Sequence, residues 1–354
     1  MLITGELMKI GEKQIGKNYP CYVIAEAGSN HNRDFDAALK LIDVAVEAGA
    51  DAVKFQIFSA DTIYSKKTPM ASYLKKKKLA KDDESLYDLI KKLEIPRNWL
   101  PDLMKYCQQK NITFLSTPFD LAAVDELEEV GIEAYKVASF EITHLPMLKR
   151  ISQTGKPIIL STGMANLEDI EVALDTIRQA GSSEVALLHC AIAYPPEFKN
   201  VNLRAMDTME MAFQCPVGFS DHTMGYVTDV AAVARGACII EKHYTLSRDQ
   251  VGPDHPFSLE PDELKEMVTA IRQTEELLGS SIKRATEAER EMHRIGRRSL
   301  VAACDIKAGT VITERMIAVK RPGFGIPTRF MELVVGRKAA TDIEEDDILT
   351  WDMV

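Results

Sequence analysis

The sequence predicts a (β/α)8 barrel, a TIM barrel of the α/β class, followed by a small β-rich domain. Three observations carry that prediction. Eight short apolar runs alternate with amphipathic helical stretches along most of the chain. Most of the runs are continuously apolar rather than alternating, as strands buried on both faces of a parallel sheet are. Beyond Gly279 the texture changes to a charged stretch and then to short strand-like runs broken by turns.

The runs fall at residues 21–25, 52–55, 113–115, 134–137, 157–160, 185–188, 216–219 and 237–240. Between the first two, residues 36–46 repeat apolar side chains every three or four positions, and Gly49 supplies a stop. Residues 167–180 do the same and end at Gly181. Eight such units fit a closed barrel better than an open doubly wound sheet, the alternative that periodicity leaves standing. The barrel is expected over residues 1–282. A linker rich in Glu and Arg follows over 283–297, with a short helix around 287–295. Residues 298–354 form the β-rich domain, with strands near 300–303, 317–319 and 348–351. A domain that small is marginal alone in water, so it is expected to dock on its own barrel or on a second subunit.

Composition excludes several function classes. Of 354 residues, 46% are hydrophobic, too many for a disordered chain. Lys and Arg number 43 against 53 Asp and Glu, a net charge of −10, which argues against a general nucleic-acid binder while leaving room for a local basic pocket. No apolar stretch reaches the roughly 18 residues of a membrane span. The first residues are too mixed for a signal peptide, and six scattered cysteines form no CxxC pair. A cytoplasmic protein with reduced thiols is expected.

In a barrel of this kind chemistry sits where strands end and βα loops begin. Reading those positions in order gives Glu26, then Lys54 and Gln56, Ser116 and Thr117, Lys136 and Ser139, Ser161 and Thr162, and His189. The last two ends carry Ser220, Asp221 and His222, then Glu241, Lys242 and His243. Two lysines with several hydroxyls suit a phosphate, because a point charge and directional donors together bind an anion. His222 and His243, at the ends of consecutive strands, suit a divalent metal. Each has a plainer reading: an ion-paired or Schiff-base lysine, a hydrogen-bonded structural histidine. His31 could bind substrate or cap a helix, and the run Lys75 to Lys78 reads as a solvated face or a cover over the barrel mouth.

Longer strings carry a resemblance. Residues 24–32 (IAEAGSNHN), Lys54-Phe55-Gln56, residues 116–120 (STPFD), Lys136-Val137-Ala138-Ser139 and Ser161-Thr162-Gly163-Met164 resemble those of the sialic acid synthase family. So do residues 218–222 (GFSDH), Glu241-Lys242-His243 and Gly252-Pro253-Asp254. Residues 298–302 (RSLVA) and Lys320-Arg321-Pro322-Gly323 resemble the antifreeze-like (SAF, β-clip) domain of the same enzymes. The likeness runs over nearly the whole chain in one order.

The resemblance implies an enzyme that condenses phosphoenolpyruvate with an N-acetylated amino sugar into a nine-carbon 2-keto acid, releasing phosphate. By motif, Lys54, Thr117, Lys136, Ser139, Ser161 and Ser220 would hold phosphoenolpyruvate. His222 and His243 would hold the divalent metal, manganese with magnesium or cobalt as substitutes, and with Glu26 would be the catalytic residues. Gln56, Tyr194, Asp254 and Arg321, the last from a partner subunit of a domain-swapped homodimer, would face the sugar. The implied metal would act as a Lewis acid on the aldehyde.

Two positions depart from the family pattern. Ile192 stands where N-acetylneuraminate synthases commonly carry asparagine, and Arg33 where glycine is common. An isoleucine suits a methyl group better than a hydroxyl, which leans towards the legionaminate and pseudaminate branches and their di-N-acetylated 6-deoxyhexoses rather than N-acetylmannosamine. The competing expectations are another phosphoenolpyruvate-dependent keto-deoxy sugar acid synthase, and a non-catalytic sugar-binding or coat-assembly protein.

Overall fold

A computed structural model describes residues 7–70, 85–182 and 184–354. The run Lys75 to Lys78 lies outside the described residues. The chain divides into two compact units, 1–279 and 280–354.

In the first unit eight parallel strands close into a barrel. They are β3 (Tyr22–Gly28), β4 (Ala52–Ile57), β5 (Thr113–Pro118), β6 (Tyr135–Val137), β7 (Ile158–Ser161), β8 (Val185–Cys190), β9 (Val217–Asp221) and β10 (Ile239–His243), with β10 pairing back onto β3. An antiparallel hairpin that the sequence did not suggest, β1 (Met8–Ile10) and β2 (Lys13–Ile15), precedes them.

Alternation along each strand sorts side chains between two compartments. Val23, Ala25, Val53, Phe55, Phe114 and Tyr135 pack outward, under helices that include Phe35–Ala48 and Pro261–Leu278. Ile24, Ala52, Leu115, Ala134, Ile159, Ala186, Leu188 and Ile239 fill the interior, and Met8, Ile10 and Ile15 of the hairpin join them. That apolar filling occupies the end where the strands begin. Farther along the same inner face come Glu26, Lys54, Thr117, Lys136, Ser161, Ser220 and Glu241. Gly218 sits between the two layers, where a Cβ would lie 2.4 Å from the Ile239 carbonyl oxygen, so only glycine lets β9 approach β10 there.

The helices are placed by caps that the sequence spells out. Asp34 accepts from the Ala37 N–H at the start of Phe35–Ala48, and Gly49 ends it in the left-handed region at φ 79°. Helix Leu167–Ala180 opens on a reciprocal Asn166–Asp169 capping box. Asp120 caps helix Leu121–Val130 through the Ala123 N–H, at 2.8 Å, and also accepts from Arg97 at 2.6 Å and Thr62 at 3.0 Å. Burial works against that carboxylate, but the Arg97 and backbone hydrogen bonds outweigh it and hold its pKa below the ordinary value. Asp120→Ala should therefore destabilise the barrel by about 1–2 kcal/mol at neutral pH in urea melts. With a depressed folded pKa, the contribution is present above the unfolded carboxylate value and fades as pH falls through the folded one, so wild type and variant should converge in acid.

The second unit pairs β11 (Ser299–Ala302) antiparallel with β12 (Ile317–Lys320) over a core of Leu300, Ile306, Ile312, Ile326, Val334, Ile343 and Leu349. The charged stretch after Gly279 belongs to this unit and contains helix Arg290–Ile295. Where a strand was expected at 348–351 there is a single bridge, Ile348 to Val301, and turn follows it. Among the described residues no helix is long and apolar enough to cross a membrane. The six cysteines form no disulfide, and all but Cys304 are buried.

Candidate active site

A cavity of about 630 Å³ opens at the end of the barrel where the strands finish. Glu26, Lys54, Gln56, Thr117, Lys136, Ser139, Ser161, Tyr194, Ser220, His222, His243 and Asp254 all line it. Arg321 lies in the other unit, where its Nε donates to the Gly296 carbonyl at 2.8 Å.

The floor is a buried network of charges and hydroxyls. Lys54 Nζ donates to Thr117 Oγ1 at 3.0 Å and lies 3.2 Å from Glu26 Oε2 and 3.7 Å from Glu241 Oε1. Lys136 Nζ donates to Ser161 Oγ at 2.7 Å and stands 3.5 Å from Glu241 Oε2. Ser220 Oγ donates to Glu241 Oε1 at 3.0 Å, and Ser139 Oγ accepts from the Gly163 N–H at 2.9 Å. Glu241 thus sits between both lysines, a central role that its strand-end position alone did not announce. Its signal is periodicity: if His243 faces inward, so must the residue two before it.

Burial shapes the protonation states. It works against the Lys54 ammonium, but Glu241 and Glu26 outweigh it and hold the lysine above its usual pKa. For Lys136 burial wins and the pKa falls. Burial alone would push Glu241 up, but Lys136 and Lys54 carry it below the ordinary carboxylate range. Glu26 goes the other way, raised by burial against the pull of Lys54, although Gln56 Nε2 donates to its Oε1 at 2.5 Å. Asp254 is raised to about 7, first by burial and then by Glu26.

At the rim the rings of His222 and His243 converge to 5.2 Å between centroids, with Tyr194 against His222 at 4.6 Å and Phe257 against His243 at 5.2 Å. Burial lowers the His222 pKa to about 4 and that of His243 well below its usual value, so both are neutral, the form that ligates a metal. His222 Nδ1 lies 3.3 Å from the Ala191 carbonyl oxygen, a contact that leaves the Nε2 lone pair for a ligand bond. His243 Nδ1 is buried without a hydrogen-bond partner, 3.6 Å from Asp254 Oδ2. This donor set fits a divalent cation. Among the described residues no group of three ligands is gathered, so water or substrate oxygens would complete the coordination.

Other strand-end polar residues face outward. Ser116 Oγ donates to the Phe55 carbonyl, Thr162 Oγ1 to that of Leu188, and His189 Nε2 meets the Val201 carbonyl at 2.6 Å. Lys242 is buried against Asp221, Asp229 and the Thr223 carbonyl, a structural ion cluster behind the two histidines. His31 is buried, with Nδ1 accepting from the Arg33 N–H at 3.0 Å, and does not line the cavity.

Ile192 packs against the β7 loop: a Cβ added to Gly163 would lie 2.5 Å from its Cγ1 and 2.9 Å from Ser139 Oγ. It therefore borders the hydroxyl-and-lysine side of the cavity. A wall that the sequence reading missed lies elsewhere, made of Phe58, Tyr64, Leu86, Leu89, Ile90 and Leu93, and continued by Phe119 and Phe140.

Comparison with known proteins places this geometry. Residues 41–283 match the model of the NeuB family, and residues 297–354 that of the SAF domain. The chain is 46% identical to N,N'-diacetyllegionaminic acid synthase of Campylobacter jejuni, over 92% of this chain and 98% of that one. The crystal structure of spore coat polysaccharide biosynthesis protein SpsE of Bacillus subtilis is 39% identical with a TM-score of 0.66, over 98% and 99% of the two chains. That of N-acetylneuraminic acid (sialic acid) synthetase from Leptospira borgpetersenii, in complex with citrate, is 34% identical with a TM-score of 0.71, over 81% of this chain and 95% of that one.

Proposed function

The chain belongs to the NeuB family and carries an SAF domain, which makes it a sialic-acid-type synthase, and on that premise we propose that it condenses phosphoenolpyruvate with an N-acetylated amino sugar and water. The products are a nine-carbon 2-keto acid and phosphate. The observation that carries this reading is the cavity floor, where Lys54, Lys136, Thr117, Ser139, Ser161 and Ser220 gather two ammonium groups and four hydroxyls under a pair of neutral imidazoles.

The lysines and hydroxyls bind and orient phosphoenolpyruvate, and offset its charge where little water competes. Its C3 then forms a bond to the aldehyde carbon of the open-chain sugar, water adds at C2, and the C2–O bond breaks to leave the ketone and phosphate. A divalent cation, manganese by preference, held by His222 and His243, would supply Lewis acidity at the aldehyde. Glu26, Gln56, Tyr194 and Asp254 face the sugar. Glu26, raised by burial, is the leading candidate to hold a sugar hydroxyl or move a proton, with Asp254, raised first by burial and then by Glu26, beside it.

The reading includes a cytoplasmic, domain-swapped homodimer in which Arg321 of a partner subunit reaches the sugar. Exposed Phe140, Met164, Phe198, Met224 and Val227, all in the segments that follow barrel strands β6 to β9, support a covered mouth.

The test is phosphate release from phosphoenolpyruvate with manganese, offering N-acetylmannosamine and a di-N-acetylated 6-deoxyhexose separately, each with an EDTA control. Metal-dependent release is expected, faster with the di-N-acetylated sugar, as the 46% identity to a legionaminic acid synthase suggests. Release only with a sugar-phosphate aldehyde would indicate another keto-deoxy acid synthase. Sugar binding without release under any condition would leave a binding protein.

A further inference from the structure

Between β4 and β5 the chain makes a long excursion that includes helix Leu86–Leu93. Its apolar residues Leu86, Leu89, Ile90 and Leu93 are spaced i, i+3, i+4, i+7, one stripe of a helix. That stripe does not join the barrel core. Leu86 and Leu89 form a separate cluster with Tyr64, Met70 and Ile90, and all four stripe residues line the cavity.

The helix is held from its polar side. Tyr87 Oη donates to Asp61 at 2.6 Å, and Lys91 pairs with Asp61 at 3.3 Å and Glu94 at 3.1 Å. Glu94 accepts from the Ala60 N–H at 2.7 Å. Arg33 reaches from the β3 loop and donates to the Lys91 carbonyl at 3.3 Å, a cation at the last turn of the helix. Arg33 has a φ of 58°, a left-handed conformation that disfavours any side chain, so keeping an arginine there is strain that the strut to the helix helps to offset.

Barrel order places this wall. Phe58 follows β4, Phe119 follows β5 and Phe140 follows β6, whereas His222 follows β9 and His243 ends β10; with eight strands closed in sequence, β5 stands opposite β9 and β6 opposite β10. A molecule lying between the imidazoles and the excursion therefore meets apolar side chains on the face turned away from the histidines. Ile192, against Gly163 and Ser139, does not supply that face.

We propose that helix Leu86–Leu93 is the specificity wall of the acceptor site, and that Leu86, Leu89, Ile90 and Leu93 with Tyr64 receive the methyl groups of a di-N-acetylated 6-deoxy sugar. The proposal rests on the condensation argued above. A methyl group seated in such a wall is worth roughly tenfold or more in selectivity, and a hydroxyl placed there loses its water without a partner.

The test separates the wall from the chemistry by measuring binding of unreactive acceptors. The sugar alcohols obtained by reducing the di-N-acetylated 6-deoxyhexose and N-acetylmannosamine lack the aldehyde and can be titrated calorimetrically into the full-length enzyme with phosphoenolpyruvate present. Wild type is expected to prefer the di-N-acetylated alcohol by about tenfold or more. Leu89→Asn and Ile90→Asn, checked by thermal melting, should erase that preference by weakening the di-N-acetylated alcohol alone, with phosphoenolpyruvate affinity unchanged. Arg33→Gly, which relieves the φ and removes the strut, should reduce it in part. Equal binding of both alcohols by wild type overturns the wall without any variant, and so does an undiminished preference in either asparagine variant. Failure of wild type to release phosphate from any acceptor counts against the condensation alone, since the alcohols still report on the wall.

Discussion

His222→Ala should lower phosphate release by about a thousandfold or more, the effect of losing several kcal/mol of transition-state stabilisation, while the barrel stays folded. The ring contributes little that holds the fold. It is neutral, its polar contacts are the Ala191 carbonyl at 3.3 Å and the Cys190 sulfur at 3.7 Å, and it packs on the rings of Tyr194, His243 and Phe257. Melting temperatures of wild type and variant without metal should therefore agree closely. Added manganese should raise the wild-type melting temperature and not that of the variant, because a ligand stabilises only a fold that binds it. Calorimetric titration with manganese gives a readout independent of turnover. Near wild-type turnover by the variant after chelator treatment would remove the metal role assigned to this pair.

Lys136→Met is the second large effect, and it should divide activity from stability. The ammonium donates to Ser161 and faces Glu241, where the proposed phosphoenolpyruvate is anchored, so kcat/KM for phosphoenolpyruvate should fall by about 10²- to 10³-fold, as for loss of one preorganised donor. Stability should hold or rise. Burial lowers the Lys136 pKa, meaning that the folded protein disfavours the charge; that penalty is fully present below the folded pKa and is relieved as pH rises through it towards the unfolded value. Methionine fills similar space without the charge, and Glu241 keeps Lys54 and Ser220 as partners. A variant that melts well below wild type near neutral pH would show Lys136 to be a structural ion-pair member first.

Several features are legible in the sequence alone. Apolar runs separated by helical stretches made a parallel sheet readable, and their number, eight, favoured a closed barrel over an open sheet. Gly49 and Gly181 marked helix ends, where a glycine at positive φ stops the helix without any tertiary partner. The hairpin Met8–Ile10 with Lys13–Ile15 was not legible, because three-residue strands carry too little periodicity. The expected strand at 348–351 failed for a related reason: a short run in a small domain pairs only where a neighbour lies in register, and here that is Ile348 alone.

Within the site, strand-end position put Glu26, Lys54, Lys136, Ser161, Ser220, His222 and His243 among the candidates, and the family resemblance singled them out from their neighbours. Side-chain direction was not decided there. Ser116, Asp221 and Lys242 look as suitable on paper as Thr117, Ser220 and Glu241, yet a one-residue difference on a strand turns a side chain from the cavity to the packing under the helices. The central place of Glu241, the convergence of two imidazoles and the apolar wall of Leu86–Leu93 depend on barrel closure, which brings together residues far apart in the chain. Sequence alone thus determined which groups this protein has and which strand carries each. Only the tertiary structure decided which of them face one another, because burial, pairing and protonation are properties of neighbours in space.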